Sequence, residues 1–136
     1  MNPFGMYLTT LRLKRRFKQK DLAKSLNVYS SYISEIESGK RNPPSSKVIN
    51  SIADAMSLSK NETVQLNAYA EQSIKVFHVP DDLPMEGYSC MHKLRLSIKN
   101  LSAEQFNVLE SMKNVNEAYR KRKRVQPVAY WQAGSS

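Results

Sequence analysis

The sequence predicts an all-α protein: a domain of five short helices over residues 1–73, a smaller helical C-terminal region over 74–124 and a flexible tail over 125–136. Two observations predict the helices. Apolar residues recur three and four positions apart through the first half, and residues that start or stop helices separate these stretches. The third observation is the length: 136 residues are enough to bury a core without disulfides. The single cysteine cannot form a disulfide within the chain, which fits a reducing compartment.

The first three helices are delimited by their end signals. The first begins at Asn2-Pro3, an N-cap followed by proline at the first helical position. The second spans 19–26 and ends at Asn27, and the third spans about 30–38 and ends at Gly39. Asn and Gly suit these ends because both tolerate the left-handed backbone that follows many helices.

The fourth helix is predicted to begin near Ser46, after a stiff turn at Asn42-Pro43-Pro44, and the fifth near Asn61. Together the five helices present one apolar face each, and these faces predict a common core. The residues predicted to face it are Phe4, Tyr7, Leu8, Leu11, Leu22, Ala23, Leu26, Ile33, Ile36, Val48, Ile49, Ile52, Ala53, Met56, Val64, Leu66, Ala68 and Tyr69.

The C-terminal region is less distinct. Residues 88–99 fit either a helix that starts after Pro84 or a strand, because Leu94, Leu96 and Ile98 alternate with other residues. Ser102 and Gln105 have the spacing of a capping box, which predicts a further helix. Its apolar stripe either pairs with a second copy of the chain or packs back on the fifth helix; the stripe is Phe106, Leu109, Met112 and Val115.

The charge balance favours a polyanionic partner. Lysine and arginine number 21 against 12 acidic residues, so the net charge is +9, and five consecutive basic residues occupy 120–124. Nucleic acid is the first expectation and an anionic membrane surface the second. With a mean hydropathy of −0.56 and no long apolar run, we expect no membrane association and a cytoplasmic location.

Few residues are available for catalysis or for binding metals. The chain has four glycines, two histidines and one cysteine, and Cys90-Met91-His92 is too closely spaced for an ordinary zinc site. The acidic residues of the second half form no convincing cluster for Mg²⁺. We therefore expect no enzymatic activity, no metal and no cofactor.

Residues 19–43 have the spacing of a helix, a tight turn and a second helix. Ala23 lies four positions before the turn at Asn27, where two steeply crossing helices would touch, and Ile33 and Ile36 lie six and nine positions after it. Packing through these residues leaves short polar side chains and one carboxylate on the outer face of the second helix. They are Ser30, Ser31, Ser34 and Glu35.

This stretch closely resembles the Cro/repressor-type (XRE-like) helix-turn-helix family over roughly residues 4–70. The run SYISEIESGKRNP at 31–43 is close to the usual sequence of that family at the end of the recognition helix and in the following loop. Several further features agree at fixed offsets, namely Gln19, Leu22-Ala23, the turn, the isoleucine pair, Glu37 and Gly39. The resemblance implies a five-helix, lambda-repressor-like DNA-binding domain.

The resemblance also implies roles for individual residues, with the recognition helix in the major groove. The implied base contacts are Tyr29, Ser30, Ser31, Ser34 and Glu35, of which Glu35 would accept a hydrogen bond from cytosine N4. The implied DNA-backbone contacts are Gln19, Tyr32, Lys40, Arg41 and Asn42. Arg12 and Glu37 are implied to form a buried ion pair that clamps the first helix to the third.

Two departures from the family affect these expectations. Lys18 stands where the family has a capping Ser or Thr, so that cap is missing and Asp21 in the first turn is a partial replacement. Asn27 and Tyr29 occupy turn positions where the family favours Gly and Ser or Thr. Because Tyr29 is bulky, the base preferences of the family do not transfer.

The functional expectation is a sequence-specific DNA-binding transcriptional regulator: a dimeric repressor of phage, plasmid or mobile-element type that binds an inverted-repeat operator through the helix at about 30–38. The alternative is an antitoxin-like module whose C-terminal half binds a partner protein. The partners expected are therefore double-stranded DNA, a second copy of the chain and, in the alternative, another protein.

Overall fold

A computed structural model describes residues 1–112. Residues Met1–His78 form one compact unit, and a second unit begins at Val79. The described residues contain helices and no strand, which confirms the all-α prediction. The predicted tail at 125–136, the basic run at 120–124 and Val115 lie outside the described residues.

Five helices build the first unit: α1 (Pro3–Lys14), α2 (Gln19–Leu26), α3 (Ser30–Ser38), α4 (Ser46–Met56) and α5 (Lys60–Gln72). Their ends follow the local signals in the sequence. Asn2 Oδ1 accepts a hydrogen bond from Gly5 N at 2.9 Å, and Asn27 (φ 55°) and Gly39 (φ 83°) terminate α2 and α3 in the left-handed region. Ser57 (φ 53°) does the same for α4.

The core of this unit is formed by side chains from all five helices, because α1 packs on α3 and α5 while α2 packs on α3 and α4. The large side chains that are fully buried are Phe4, Leu8, Leu22, Ile33, Ile36, Ile49, Ile52 and Leu66. All of them were predicted to face the core. The shared core makes α3 a rigid part of the unit.

The predicted inner face of α5 is partly wrong. Val64 is 61% exposed, whereas Leu66 and Ala70 are buried. Residues two positions apart on a helix point about 200° away from each other, so Val64 and Leu66 cannot both face the same core. Ala70 is four positions after Leu66 and therefore shares its face.

The second unit contains α6 (Met85–Ser97), a 3-10 turn (Ile98–Asn100) and a helix, here called α7, that is described over residues 103–112. Residues 88–99 are thus helical, and the strand alternative is wrong. The predicted capping box forms, because Ser102 N donates to Gln105 Oε1 at 2.9 Å and Gln105 N donates to Ser102 Oγ at 3.2 Å. None of the residues 79–112 is buried.

Within residues 1–112, no helix is long and apolar enough to cross a membrane.

Candidate nucleic-acid interface

The turn between α2 and α3 holds the two helices in a fixed relation. Val28 N donates to the Ala23 carbonyl at 3.0 Å, across the left-handed residue Asn27. Ile33 and Ile36 are fully buried against the core. With one face of α3 committed to packing, its opposite face is presented to solvent.

The outer face of α3 carries all five residues for which base contacts are implied. Tyr29, Ser30, Ser31 and Ser34 are exposed and Glu35 is partly exposed. Tyr29 is 85% exposed at the N-cap of the helix. The start of this face forms an open depression of about 580 Å³, lined by Asn27, Val28, Tyr29, Ser31, Tyr32, Glu35 and Arg41. Three of the implied base readers, Tyr29, Ser31 and Glu35, thus line one accessible depression, and Ser30 and Ser34 are exposed outside it.

A buried ion pair joins α1 to α3. Arg12 Nε donates to Glu37 Oε1 at 2.7 Å, and Arg12 Nη2 donates to Glu37 Oε2 at 3.3 Å. Arg12 Nη1 also donates to the Phe17 carbonyl at 2.7 Å. Both members of the pair are buried. The clamp implied by the resemblance is therefore present, and it fixes the C-terminal half of α3 to α1.

Gln19 has an internal partner that sequence reasoning missed. Its side-chain amide Nε2 donates to Glu37 Oε2 at 2.8 Å, so Glu37 receives hydrogen bonds from α1 and from α2. A Gln and a Glu eighteen residues apart carry no sequence signal for pairing, because only the tertiary arrangement brings them together.

The two helices of the motif differ from their neighbours in how they begin. Side-chain oxygens of Asn2, Ser45 and Ser59 cap α1, α4 and α5, whereas α2 and α3 have no side-chain acceptor at their N-caps, Lys18 and Tyr29. Asp21 Oδ2 accepts a hydrogen bond from Lys18 N at 3.1 Å, as expected for a partial replacement of the missing Ser or Thr cap. Uncapped helix N-termini present backbone N–H groups that suit an anion such as phosphate.

Comparison with known proteins finds a similar domain within the first unit. The family model described as a helix-turn-helix domain matches residues 3–66. Over these residues the chain is similar to helix-turn-helix domains. This match confirms the resemblance to the Cro/repressor-type (XRE-like) helix-turn-helix family. In that resemblance α3 has the position of the recognition helix, and it is called the recognition helix below.

One curated relative is similar over most of the chain. The chain is 28% identical over 115 residues to RghRB of Bacillus subtilis (strain 168), described as an uncharacterized HTH-type transcriptional regulator. The similarity covers 83% of this chain and 78% of the relative. No solved structure matches the chain.

The loop after the recognition helix folds back onto it. Arg41 N donates to the Glu35 carbonyl at 3.3 Å, and Arg41 Nε donates to Glu35 Oε2 at 2.8 Å. The guanidinium carbon of Arg41 lies 5.4 Å from the centroid of the Tyr32 ring. Sequence reasoning assigned Glu35 to bases and Arg41 to phosphates and did not predict that they pair.

The remaining loop residues, Lys40 and Asn42, are exposed. Lys75, which follows α5 and for which the sequence predicted no role, donates from Nζ to the Gly39 carbonyl at 3.1 Å. That carbonyl is at the end of the recognition helix, where a cation is favourable. Lys75 therefore supports the end of the helix-turn-helix motif from outside it.

The described residues form no metal-binding cluster. Residues 1–112 contain no group of three His, Cys, Asp or Glu side chains placed to hold a metal ion. Cys90 is exposed, and the His92 ring lies 3.2 Å from Arg95 Nη2. The helix-turn-helix surface is thus the best-defined candidate site of residues 1–112.

Proposed function

We propose that this protein is a sequence-specific DNA-binding transcriptional repressor, of the phage, plasmid or mobile-element type, that reads its operator with the recognition helix at 30–38. The observation that carries the proposal is the exposed outer face of a helix whose inner face and C-terminal end are rigidly held. The similarity to RghRB of Bacillus subtilis, an uncharacterized HTH-type transcriptional regulator, supports the same function. A regulator of this kind acts in the cytoplasm and without a cofactor.

Binding is proposed to place the outer face of α3 in the major groove. Ser30, Ser31 and Ser34 then reach base edges, and Tyr29 contacts the groove at the start of the helix. The N-termini of α2 and α3, whose N-cap side chains accept no hydrogen bond, face phosphates, and Lys40 and Asn42 contact the DNA backbone. The net charge of +9 supports these contacts because phosphate neutralisation supplies much of the binding free energy.

The test is selection of bound sequences from a randomised DNA library by the full chain, followed by salt titrations on the selected site. Ser31→Ala is expected to relax base preference at one position, whereas Lys40→Ala is expected to weaken binding to all sequences and reduce the salt slope by about one. Ser51→Ala, an exposed serine on α4, is the matched control. If Ser31→Ala and Lys40→Ala both bind like the wild type, the major-groove assignment is wrong.

The second unit is proposed to form a homodimer. None of the residues 79–112 is buried, and α7 exposes the apolar side chains of Phe106, Leu109 and Met112 among the described residues. This exposed apolar stripe supports a partner surface on α7. Two linked recognition helices multiply specificity through effective concentration. Twofold symmetry requires an inverted-repeat operator with half-sites about 10 base pairs, one helical turn, apart.

Sedimentation of the full chain at tens of micromolar tests the dimer. Leu109→Glu is expected to yield monomers because it places a charge in the apolar stripe, whereas Asn107→Glu on the same helix is expected to leave the dimer intact. A wild-type monomer, or a footprint without twofold symmetry, would exclude the dimer. A wild-type monomer would instead favour a heterologous protein partner for this unit, as in the antitoxin-like alternative.

A further inference from the structure

We propose that Arg41 reads the guanine of a G·C base pair in the major groove, and that Glu35 and Tyr32 are positioning residues for it. This assignment rests on the proposed DNA-binding function and deepens it. It moves Arg41 from the phosphate contacts implied by the resemblance to the base-reading set. The loop after the recognition helix then contributes to specificity as well as to affinity.

Three contacts direct the Arg41 side chain over the recognition helix. Its backbone N–H is held by the Glu35 carbonyl, its Nε by the Glu35 carboxylate at 2.8 Å, and its guanidinium by the face of the Tyr32 ring. A guanidinium on an aromatic ring and in a charge-assisted hydrogen bond loses little further freedom when it binds a planar acceptor. The side chain is nevertheless 57% exposed, so it is accessible to DNA.

The surroundings of Arg41 separate it from the other cationic and polar loop residues. Arg41 lines the depression at the start of the recognition helix together with Tyr29 and Ser31, and neither Lys40 nor Asn42 does. Because Arg41 shares this depression with two implied base readers, we expect its guanidinium to reach the base edges in the major groove. Lys40 is left for the phosphates.

The hydrogen-bonding pattern of the pair matches one base-pair edge. Within the described part of the chain, the Arg41 side chain makes its single polar contact through Nε, which leaves the Nη1 and Nη2 N–H groups for guanine O6 and N7. Glu35 Oε1 accepts no hydrogen bond from the described residues, and it is available to cytosine N4. Two donors beside an acceptor are complementary to the acceptor, acceptor and donor order of a G·C pair in the major groove.

The carboxylate also argues against a phosphate as the partner of Arg41. Glu35 offsets the charge of Arg41 at 2.8 Å and would repel an anion brought to the same point. A G·C edge carries no net charge and offers a donor to the carboxylate, so binding it adds no like-charge repulsion. Phosphate binding at this position would bring a second anion close to the Glu35 carboxylate.

The experiment compares selected-sequence profiles and salt slopes for the full-length wild type, Arg41→Lys and Glu35→Gln. Lysine keeps the charge but lacks the fork that binds guanine in two places. Arg41→Lys is therefore expected to lower the preference for G·C at one position of each half-site by about tenfold, with an unchanged salt slope. Glu35→Gln is expected to reduce preference at that same position, because it removes the charge that holds Nε.

Lys40→Ala is the matched control, with an even loss over all sequences and a salt slope smaller by about one. If Arg41→Lys leaves the profile intact, or weakens binding evenly at all positions, Arg41 is a phosphate contact and the assignment is wrong. If the wild type selects no sequence at all, the proposed function itself is wrong and the assignment falls with it. The two failures are thus distinguished by the wild-type profile.

Discussion

Replacing Arg12 by methionine should destabilise the helix-turn-helix domain far more than an ordinary surface change. Arg12 makes three hydrogen bonds, two to Glu37 and one to the Phe17 carbonyl. In Arg12→Met the Glu37 carboxylate stays buried, at 3% exposure, and keeps only the Gln19 amide at 2.8 Å as a side-chain partner. A buried charge without its counter-ion is the cause of the expected loss.

Removing one partner of a buried ion pair costs about 3–5 kcal/mol. For a domain of this size, each kcal/mol lowers the melting temperature by about 4–8 °C, so the expected fall is at least about 12 °C. Arg12→Met/Glu37→Met removes both charges, and apolar replacements of a whole buried pair are often neutral. The double variant should therefore be more stable than Arg12→Met alone.

Thermal unfolding followed by circular dichroism measures these differences. Lys14→Met is the control, because Lys14 is exposed on the same helix and its replacement should change stability by no more than about 0.5 kcal/mol. Equal effects of Arg12→Met and Lys14→Met would refute the role of the ion pair. A double variant less stable than Arg12→Met would refute the unpaired charge as the cause.

Three further predictions concern the same domain. Gly5→Ala should destabilise by about 2 kcal/mol in chemical denaturation, although alanine normally favours a helix, because the new Cβ would overlap the Glu37 carbonyl and lie 2.8 Å from its carbon; a higher midpoint would contradict this contact. Ser57→Gly should stabilise by about 1 kcal/mol, since Ser57 has φ 53°; a lower midpoint would contradict it. Hydrogen bonds from Arg15 and the Ser59 backbone lower the pKa of Glu62 from 4.5 to about 2. The ionised Glu62 therefore stabilises the folded domain fully above pH 4.5, and this contribution is lost as the pH falls through about 2. Glu62→Gln should flatten this acid dependence, and an unchanged slope would refute the assignment.

Much of the fold was predictable because the relevant signals are local. The left-handed backbone at Asn27 and Gly39 follows from residue types that tolerate it, and the Asn2 cap and the Ser102–Gln105 box follow from spacing of three residues. Each involves atoms within one helical turn, so chain connectivity alone brings them together. The periodic burial of core residues such as Ile33 and Ile36 has the same origin.

Where the sequence pattern was ambiguous, the structure depended on tertiary partners. Leu94, Leu96 and Ile98 alternate as in a strand, yet residues 88–99 are helical, because a strand is stable only when paired and no described segment offers it an edge. Val64 is exposed for a related reason, since the packing partner of α5 determines which of its apolar residues are covered. Periodicity restricts the choices, and neighbouring elements select among them.

The candidate site shows the same division. The sequence by itself determined that short polar residues and Glu35 occupy the outer face of α3, because helix period and an apolar inner face leave no other arrangement. Only the tertiary structure decided that Arg41 returns to Glu35 and Tyr32 and that Gln19 reaches Glu37. These contacts join residues across a turn or between helices, and their partners depend on the three-dimensional path of the backbone, which linear spacing does not encode.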